Sequence, residues 1–210
     1  MKVMIAIPCL DTVPTVFMES LCGLIRPSDV TVVTAKNSLV YDAREALGSV
    51  AISDGCDRVL WLDSDMTFDR DLFLRLNQDL DTGCRFVSAL CFTRKEPIMP
   101  VIYSEIGYGD DGNSYADCIF DYPADSLFRV GGVGLSAAMM DVGVLKEVKD
   151  KCGDMFLPLK GLGEDLSFCI RCLSIGIPIH CDSRVKVGHI FQTVINEGVY
   201  ERLREKHTPD

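Results

Sequence analysis

The chain has 210 residues, with 21 basic against 31 acidic side chains and a formal charge of -10. That length suits one domain, 1–210, with a full core, and the acidic balance excludes a general nucleic-acid surface, so any phosphate chemistry must rest on a metal or a few placed arginines. The apolar start, Met1 to Pro8, is too short for a signal peptide and no apolar run reaches membrane-spanning length, so no transmembrane segment and a cytoplasmic location are expected.

Residues 2–8 read as a first buried strand. Thr12 is placed to cap a helix from Val13 to Ile25 that Pro27 stops, and Val30 to Thr34 is a second strand. Ser38 can cap the next helix, whose apolar positions Val40, Ala43, Leu47, Val50 and Ala51 recur at helical spacing until Asp54-Gly55. The apolar run ending in Trp61-Leu62 is a third strand. Asp69 opens a helix through Leu80 that Gly83 breaks, and Phe86 to Phe92 is a further buried strand. This β-α-β-α-β-α-β alternation predicts an α/β fold with a mainly parallel central sheet and helices on both faces. After Phe92 the pattern is less regular. Pro97 and Pro100 flank an extended piece, Gly107 to Gly112 is a turn cluster, and Leu127 to Val130 and Leu135 to Met140 read as strands around Gly131 to Gly134.

The stretch Val59-Leu60-Trp61-Leu62-Asp63-Ser64-Asp65 carries the first chemistry. A buried strand that opens into two carboxylates one residue apart places them at its carboxyl end, where ligands of open α/β sheets collect. Such a pair repels itself unless a cation shares the space, which suits Mg²⁺ or Mn²⁺; the structural alternative is a solvated turn with Asp65 capping the next helix. Glu164 and Asp165 follow a glycine turn and open a helix to about Ser174, so that one can cap while the other faces a cleft. Val185 to Ile190 reads as a short strand delivering His189, either structural or a partner of carboxylates on a divalent ion, with Gly188 permitting a close backbone turn. The cluster Gly131 to Gly134 lacks the dinucleotide-binding spacing and marks either a bend or a close approach of backbone to ligand. Ten cysteines are spread through apparent strands and helices. Cys169 and Cys172 have metal-like spacing but lie in a helical pattern, where core packing is expected over zinc.

Taken together these pieces resemble the GT-A class of nucleotide-sugar-dependent glycosyltransferases, especially bacterial and phage proteins similar to glycosyltransferase family 2. The resemblance spans nearly the whole chain. It is carried by the strand ending in Ile7-Pro8, Ser38 to Glu45, Leu60-Trp-Leu-Asp63-Ser-Asp65-Met66 as the Asp-x-Asp motif, Phe92-Thr-Arg94, Gly132 to Met140, Gly163-Glu164-Asp165-Leu-Ser-Phe168, and Gly188-His189. It implies a hexosyltransferase-like enzyme with a nucleotide-diphosphate sugar as donor, an unidentified acceptor, and Mn²⁺ or Mg²⁺ as cofactor. Asp63 and Asp65 would hold the metal on the diphosphate and His189 would complete its coordination. Pro8, Asp11, Arg44 and Asp63 would meet the nucleotide, though such proteins commonly carry Asn where Glu45 stands. Asp165 would be the general base of an inverting transfer, with its pKa kept low by the helix terminus, and Glu164 would serve the cap or the acceptor. Residues 1–92 would form the nucleotide-binding half and 93–210 the acceptor half.

Two other readings share some of these residues. Asp63-Ser-Asp65-Met-Thr67 fits the first motif of haloacid-dehalogenase-like phosphatases, with Asp63 as nucleophile, but that motif belongs on a first strand and its late Gly-Asp-x-x-x-Asp partner is missing. A catalytically silent nucleotide-sugar-binding protein would keep the fold, although retention of all the expected acids and the histidine argues against it.

Overall fold

The computed structural model describes residues 1–36, 38–191, 196–199 and 201. Its strands are β1 (Val3–Cys9), β2 (Thr31–Lys36), β3 (Arg58–Leu62), β4 (Met66–Phe68), β5 (Phe86–Leu90), β6 (Ile102–Tyr108), β7 (Ser114–Cys118), β8 (Leu127–Val130), β9 (Gly132–Val133), β10 (Ala137–Asp141) and β11 (Ile179–His189). Its helices are α1 (Thr15–Gly23), α2 (Val40–Ser53), α3 (Leu72–Asp81), α4 (Val142–Cys152) and α5 (Glu164–Ser174). An eight-stranded sheet has the order β2-β1-β3-β10-β5-β11-β4, with β8 also pairing β11, and a second sheet of three strands has the order β7-β6-β9.

The apolar runs are unbroken because both faces of the large sheet are covered. Met4 and Ala6 of β1, with Val59 and Trp61 of β3, point into a core packed by α2, α4 and α5 through Leu47, Leu145 and Phe168. Their neighbours Val3, Ile5, Ile7, Leu60 and Leu62 point the other way, against Phe17 of α1 and Phe73 and Leu76 of α3. The period of two along each strand thus feeds two cores, and Trp61 anchors the first of them with its ring 5.2 Å from that of Phe156.

Strands β2, β1, β3, β5 and β11 run in one direction, so the expected parallel sheet is present. What the alternation does not announce is β10, which enters antiparallel between β3 and β5, with Ala138 opposite both Trp61 and Ser88. The strand expected at 185–190 is the end of a longer one, β11, whose first part pairs parallel with β5 before its register shifts between Asp182 and Lys186. Helix α4 has no counterpart in the sequence reading. It follows β10 directly at Asp141, a residue type that suits a helix start although its side chain makes no capping hydrogen bond, and a glycine at its second position weakens the helical pattern.

The expected caps also differ. Helix α1 begins after Pro14, whose carbonyl accepts from the Phe17 and Met18 amides, and α2 begins after Leu39; neither Thr12 nor Ser38 caps. Helix α3 starts after Asp71 and not at Asp69. The stops are as read: α2 and α3 end before Gly55 and Gly83, both at positive φ.

The turn cluster at 107–112 closes the β6–β7 hairpin, where the Gly109 amide donates to the Asn113 carbonyl at 2.9 Å. Gly131 resolves the glycine cluster in favour of packing: a Cβ there would lie 2.3 Å from the Ser104 carbonyl oxygen, so backbone passes backbone where the two sheets meet. Cys169 and Cys172 are fully buried in the first core. Among the described residues no helix is long and apolar enough to cross a membrane.

Candidate functional site

The carboxyl ends of β1 and β3 open into a cleft of about 1010 Å³. Pro8, Leu10 and Val13 wall one side, Leu39 and Val40 a second, and Asp63, Ser64, Asp65, Arg94 and Lys95 supply its polar side. Apolar walls with a few convergent charges are the usual make-up of a small-molecule site. Asp11 is exposed in the first loop and is not part of the cleft wall.

Asp63 and Asp65 are two residues apart but have different partners. The Asp63 amide donates to the Ser136 carbonyl of the segment before β10 at 2.9 Å, which fixes where β3 ends. Its Oδ1 accepts from Arg44 Nη2 at 2.7 Å, and the same arginine donates through Nε to Glu164 Oε1 at 3.2 Å. Arg44 is 2 % exposed and its guanidinium stands 5.7 Å from the Trp61 ring centroid. Burying a guanidinium costs several kcal/mol unless it is paired; here two carboxylates and the face of an indole surround it. Burial opposes the charge on Arg44, but Asp63, Glu164 and Asp165 outweigh it and raise the pKa, so the group is a permanent cation. Burial likewise pushes Asp63 upward, against the pull of Arg44. Arg44 itself does not line the cleft and reaches it only through Asp63. Glu45 is also structural: its carboxylate accepts from the Met155 and Phe156 amides at 3.0 Å each, tying α2 to the segment after α4.

Asp65 belongs to a second cluster, built by strand pairing. Strand β4 runs antiparallel to the end of β11, which sets His189 opposite Met66, and the Ile190 amide donates to the Asp65 carbonyl at 2.7 Å. Gly188 lies within β11 and not in a turn. A Cβ at that position would stand 2.4 Å from Thr67 Oγ1, so the glycine serves the close approach of the two strands. As a result His189 Nε2 comes to 3.2 Å from Asp65 Oδ2. The other ring nitrogen, Nδ1, lies 2.9 Å from the Phe92 carbonyl. A carbonyl only accepts, so Nδ1 carries a proton and Nε2 is the nitrogen turned to Asp65; His189 itself does not line the cleft, which it meets through Asp65. Arg94, half exposed just after β5, ion-pairs with the same Asp65 Oδ2. Burial alone would raise Asp65, but His189 and Arg94 hold it below the ordinary carboxylate value, while Asp65 in turn raises His189 against its own burial.

Asp165 is the third element. It opens α5 with Glu164, and its Oδ1 accepts from the Leu166 amide at 2.7 Å. The helix terminus by itself predicts a low pKa for this carboxylate. Instead its pKa is raised to about 6, because burial and the neighbouring Glu164 charge outweigh the Leu166 amide and Arg44. Helix-terminus effects are worth typically about 0.3–1 kcal/mol, less than the desolvation of a carboxylate packed round by protein. Neither Glu164 nor Asp165 lines the cleft; Glu164 joins it through Arg44 and Asp63.

Among the described residues, no three His, Cys, Asp or Glu side chains converge as a metal cage. Asp65 and His189 are a two-donor set, one carboxylate oxygen and one imidazole nitrogen, which suits a hard divalent ion that takes its remaining oxygens from a phosphate ligand and water. The second imidazole nitrogen is fixed by the Phe92 carbonyl, the outer contact that metal-ligating histidines ordinarily have. Sequence reasoning gave no task to Arg94 or Lys95. The signal was there: two adjacent cations directly after a buried strand, in a strongly acidic chain.

No protein-family model matches the sequence, and no curated protein matches it either. Solved structures do match the fold. The crystal structure of A197 from STIV has a TM-score of 0.66 at 19 % identity, covering 91 % of this chain and 87 % of that one. The crystal structure of GalNAc-T7 with UDP, GalNAc and Mn²⁺ has a TM-score of 0.63 at 11 % identity; the match covers 91 % of this chain and spans 44 % of that one. At such identities the likeness establishes architecture, and the mixed α/β chain with its mostly parallel central sheet has the GT-A fold.

Proposed function

We propose that this chain is a glycosyltransferase that moves a sugar, hexose-like in size, from a nucleotide-diphosphate sugar to an acceptor hydroxyl with inversion, as in family 2 of the GT-A class. The observation that carries the reading is the contact of His189 with Asp65, a residue of the polar side of an apolar-walled cleft, produced by the β4–β11 pairing. That GalNAc-T7, a structure of the same fold, contains UDP and Mn²⁺ supports the same reading.

Pro8, Leu10, Val13, Leu39 and Val40 would cover the flat base and the ribose, with Asp11 at the rim. Asp65 and His189 would hold Mn²⁺ or Mg²⁺ together with oxygens of the diphosphate, while Asp63, expected from the sequence as a further ligand, stays on Arg44 and would serve the nucleotide side of the cleft. The bound ion would offset charge on the leaving diphosphate. Asp165 would take the acceptor proton. With a pKa of about 6 it is mostly ionised at neutral pH yet more basic than an ordinary aspartate, which is the setting a general base needs. Glu164 is held by Arg44 and would keep α5 in place beneath it. The phosphatase reading needs Asp63 as a free nucleophile on a first strand, whereas Asp63 ends the third strand and is bound to a buried arginine.

A thermal-shift screen of nucleotides and nucleotide sugars with Mn²⁺ identifies the donor, because a ligand of the folded state raises apparent stability. Incubation of that donor with candidate acceptors, with the product anomer read by NMR, then tests transfer. Binding without turnover for any acceptor or water would leave a silent binding protein, and retained configuration would reject Asp165 as base.

A further inference from the structure

We propose that Arg94 has two working positions: on Asp65 when the cation is absent, and on the donor diphosphate once the cation has taken its place. This rests on the nucleotide-sugar reading above and adds an order of events to it. The residue stands in the cleft wall beside Lys95, and its Nη1 contacts Asp65 Oδ2, the same oxygen that faces His189 Nε2 at 3.2 Å. A divalent ion held between Asp65 and His189 needs that oxygen and repels a guanidinium beside it, so ion and arginine compete for one acceptor.

The structure gives Arg94 the means to leave. Its side chain is 52 % exposed, against 2 % for Arg44, the arginine on the other acid of the pair. The backbone of the loop that bears it is held through Thr93: its amide donates to the Met99 carbonyl at 2.9 Å, its hydroxyl reaches the Lys95 and Pro97 carbonyls at 3.2 Å each, and the Met99 amide donates to Thr93 Oγ1 at 3.0 Å. The move asked of Arg94 is therefore one of its side chain alone. Residues 94–98 between these bonds are all exposed. Freed from Asp65, a guanidinium in this cleft would meet the diphosphate with planar, two-pronged geometry that an ammonium lacks. The exchange keeps Asp65 paired at all times and brings the arginine to the phosphates only after the cation has arrived.

The test uses the Arg94→Gln variant of the whole chain, which keeps a polar amide but is shorter and uncharged, at an exposed position. Two affinities are measured: Mn²⁺ alone, from the electron paramagnetic resonance of the free ion, and whichever of UDP or GDP the parent binds, by calorimetry at saturating Mn²⁺. The two are expected to move in opposite directions. Loss of an exposed competitor tightens Mn²⁺ by about two- to fivefold, and loss of a charged phosphate contact weakens the nucleotide by about tenfold or more. Arg94→Lys should restore part of the nucleotide affinity. Affinities that stay at parental values, or that both weaken, overturn the two-position role and leave the glycosyltransferase reading intact. A parent that binds neither Mn²⁺ nor any nucleotide diphosphate overturns that reading itself.

Discussion

Asp63 and Asp65 lie two residues apart at the end of one strand, with similar side-chain exposures of 26 % and 29 %, yet their surroundings are opposites. Asp63 is tied to a buried arginine that also holds Glu164 of α5, so it joins β3, α2 and α5 into one rigid unit. Asp65 faces an exposed arginine, which the proposed exchange would replace by a metal ion, and a titratable histidine, which would stay as its partner on that ion. The two acids of an Asp-x-Asp pair are thus not equivalent here: Asp63 is tied into the framework, and Asp65 is the one left with exchangeable partners for the binding role proposed above.

The sharpest way to break this contrast is to remove each arginine in turn. Arg44→Met leaves Asp63 and Glu164 partly buried without their cation, and breaking a buried pair costs about 3–5 kcal/mol. Removing Arg94 should cost no more than about 1 kcal/mol, as for exposed pairs generally. Denaturant unfolding of both variants measures this, and equal losses would erase the distinction.

Asp165→Asn comes next. Turnover should fall by about 10²–10⁴ with donor affinity nearly unchanged. In the parent, kcat/KM should rise with pH through about 6 and then level, since the carboxylate is the active form. The stability sign is opposite. A folded-state pKa above the unfolded value means that stability is full below the unfolded pKa of about 4 and is lost as pH rises through about 6. Asp165→Asn should therefore melt higher than the parent at pH 8 and not at pH 4.

His189→Ala removes one of two donors and should weaken Mn²⁺-dependent nucleotide binding by about 10–100-fold, with the fold retained. Parental binding by this variant would make His189 a structural residue. The smallest effect is expected far from the cleft. Asp79 Oδ2 is buried and has no conventional donor, yet the side chain lies against Asp182, and burial and that neighbour raise Asp79 to about 7. A proton shared between the two carboxyls accounts for the orphan oxygen, with Arg184 completing the group at 2.8 Å from each acid. Stability from this proton is present below about pH 4 and lost through about 7, so Asp79→Asn should gain a few degrees in Tm relative to the parent at pH 8.

Much of this was legible in the chain. The unbroken apolar runs Val3 to Ile7 and Val59 to Leu62 announced strands covered on both faces, and Gly55 and Gly83 announced where helices stop. Strand β10 was recognisable as a strand but not as the antiparallel insert at the centre of the sheet, because pairing partners more than 40 residues apart leave no periodicity to read. Helix α4 was missed because Val142-Gly-Val is a poor helix opening, sustained only by burial of Val144, Leu145 and Val148. The acids of the site were visible from their spacing. Their division of labour was not, since it depends on Arg44 arriving from α2 and Arg94 from the segment after β5. The pKa of Asp165 was misjudged for the same reason: sequence shows the helix terminus but not the desolvation around it.

The most direct test is calorimetric titration of UDP and of GDP into the parent and into Asp65→Ala, each with Mn²⁺ and with a chelator. One nucleotide is expected to bind the parent with Mn²⁺, the chelator to abolish this binding, and Asp65→Ala, still folded, to lack it in either condition. Tight nucleotide binding that survives the chelator, or that survives in Asp65→Ala, would contradict this expectation.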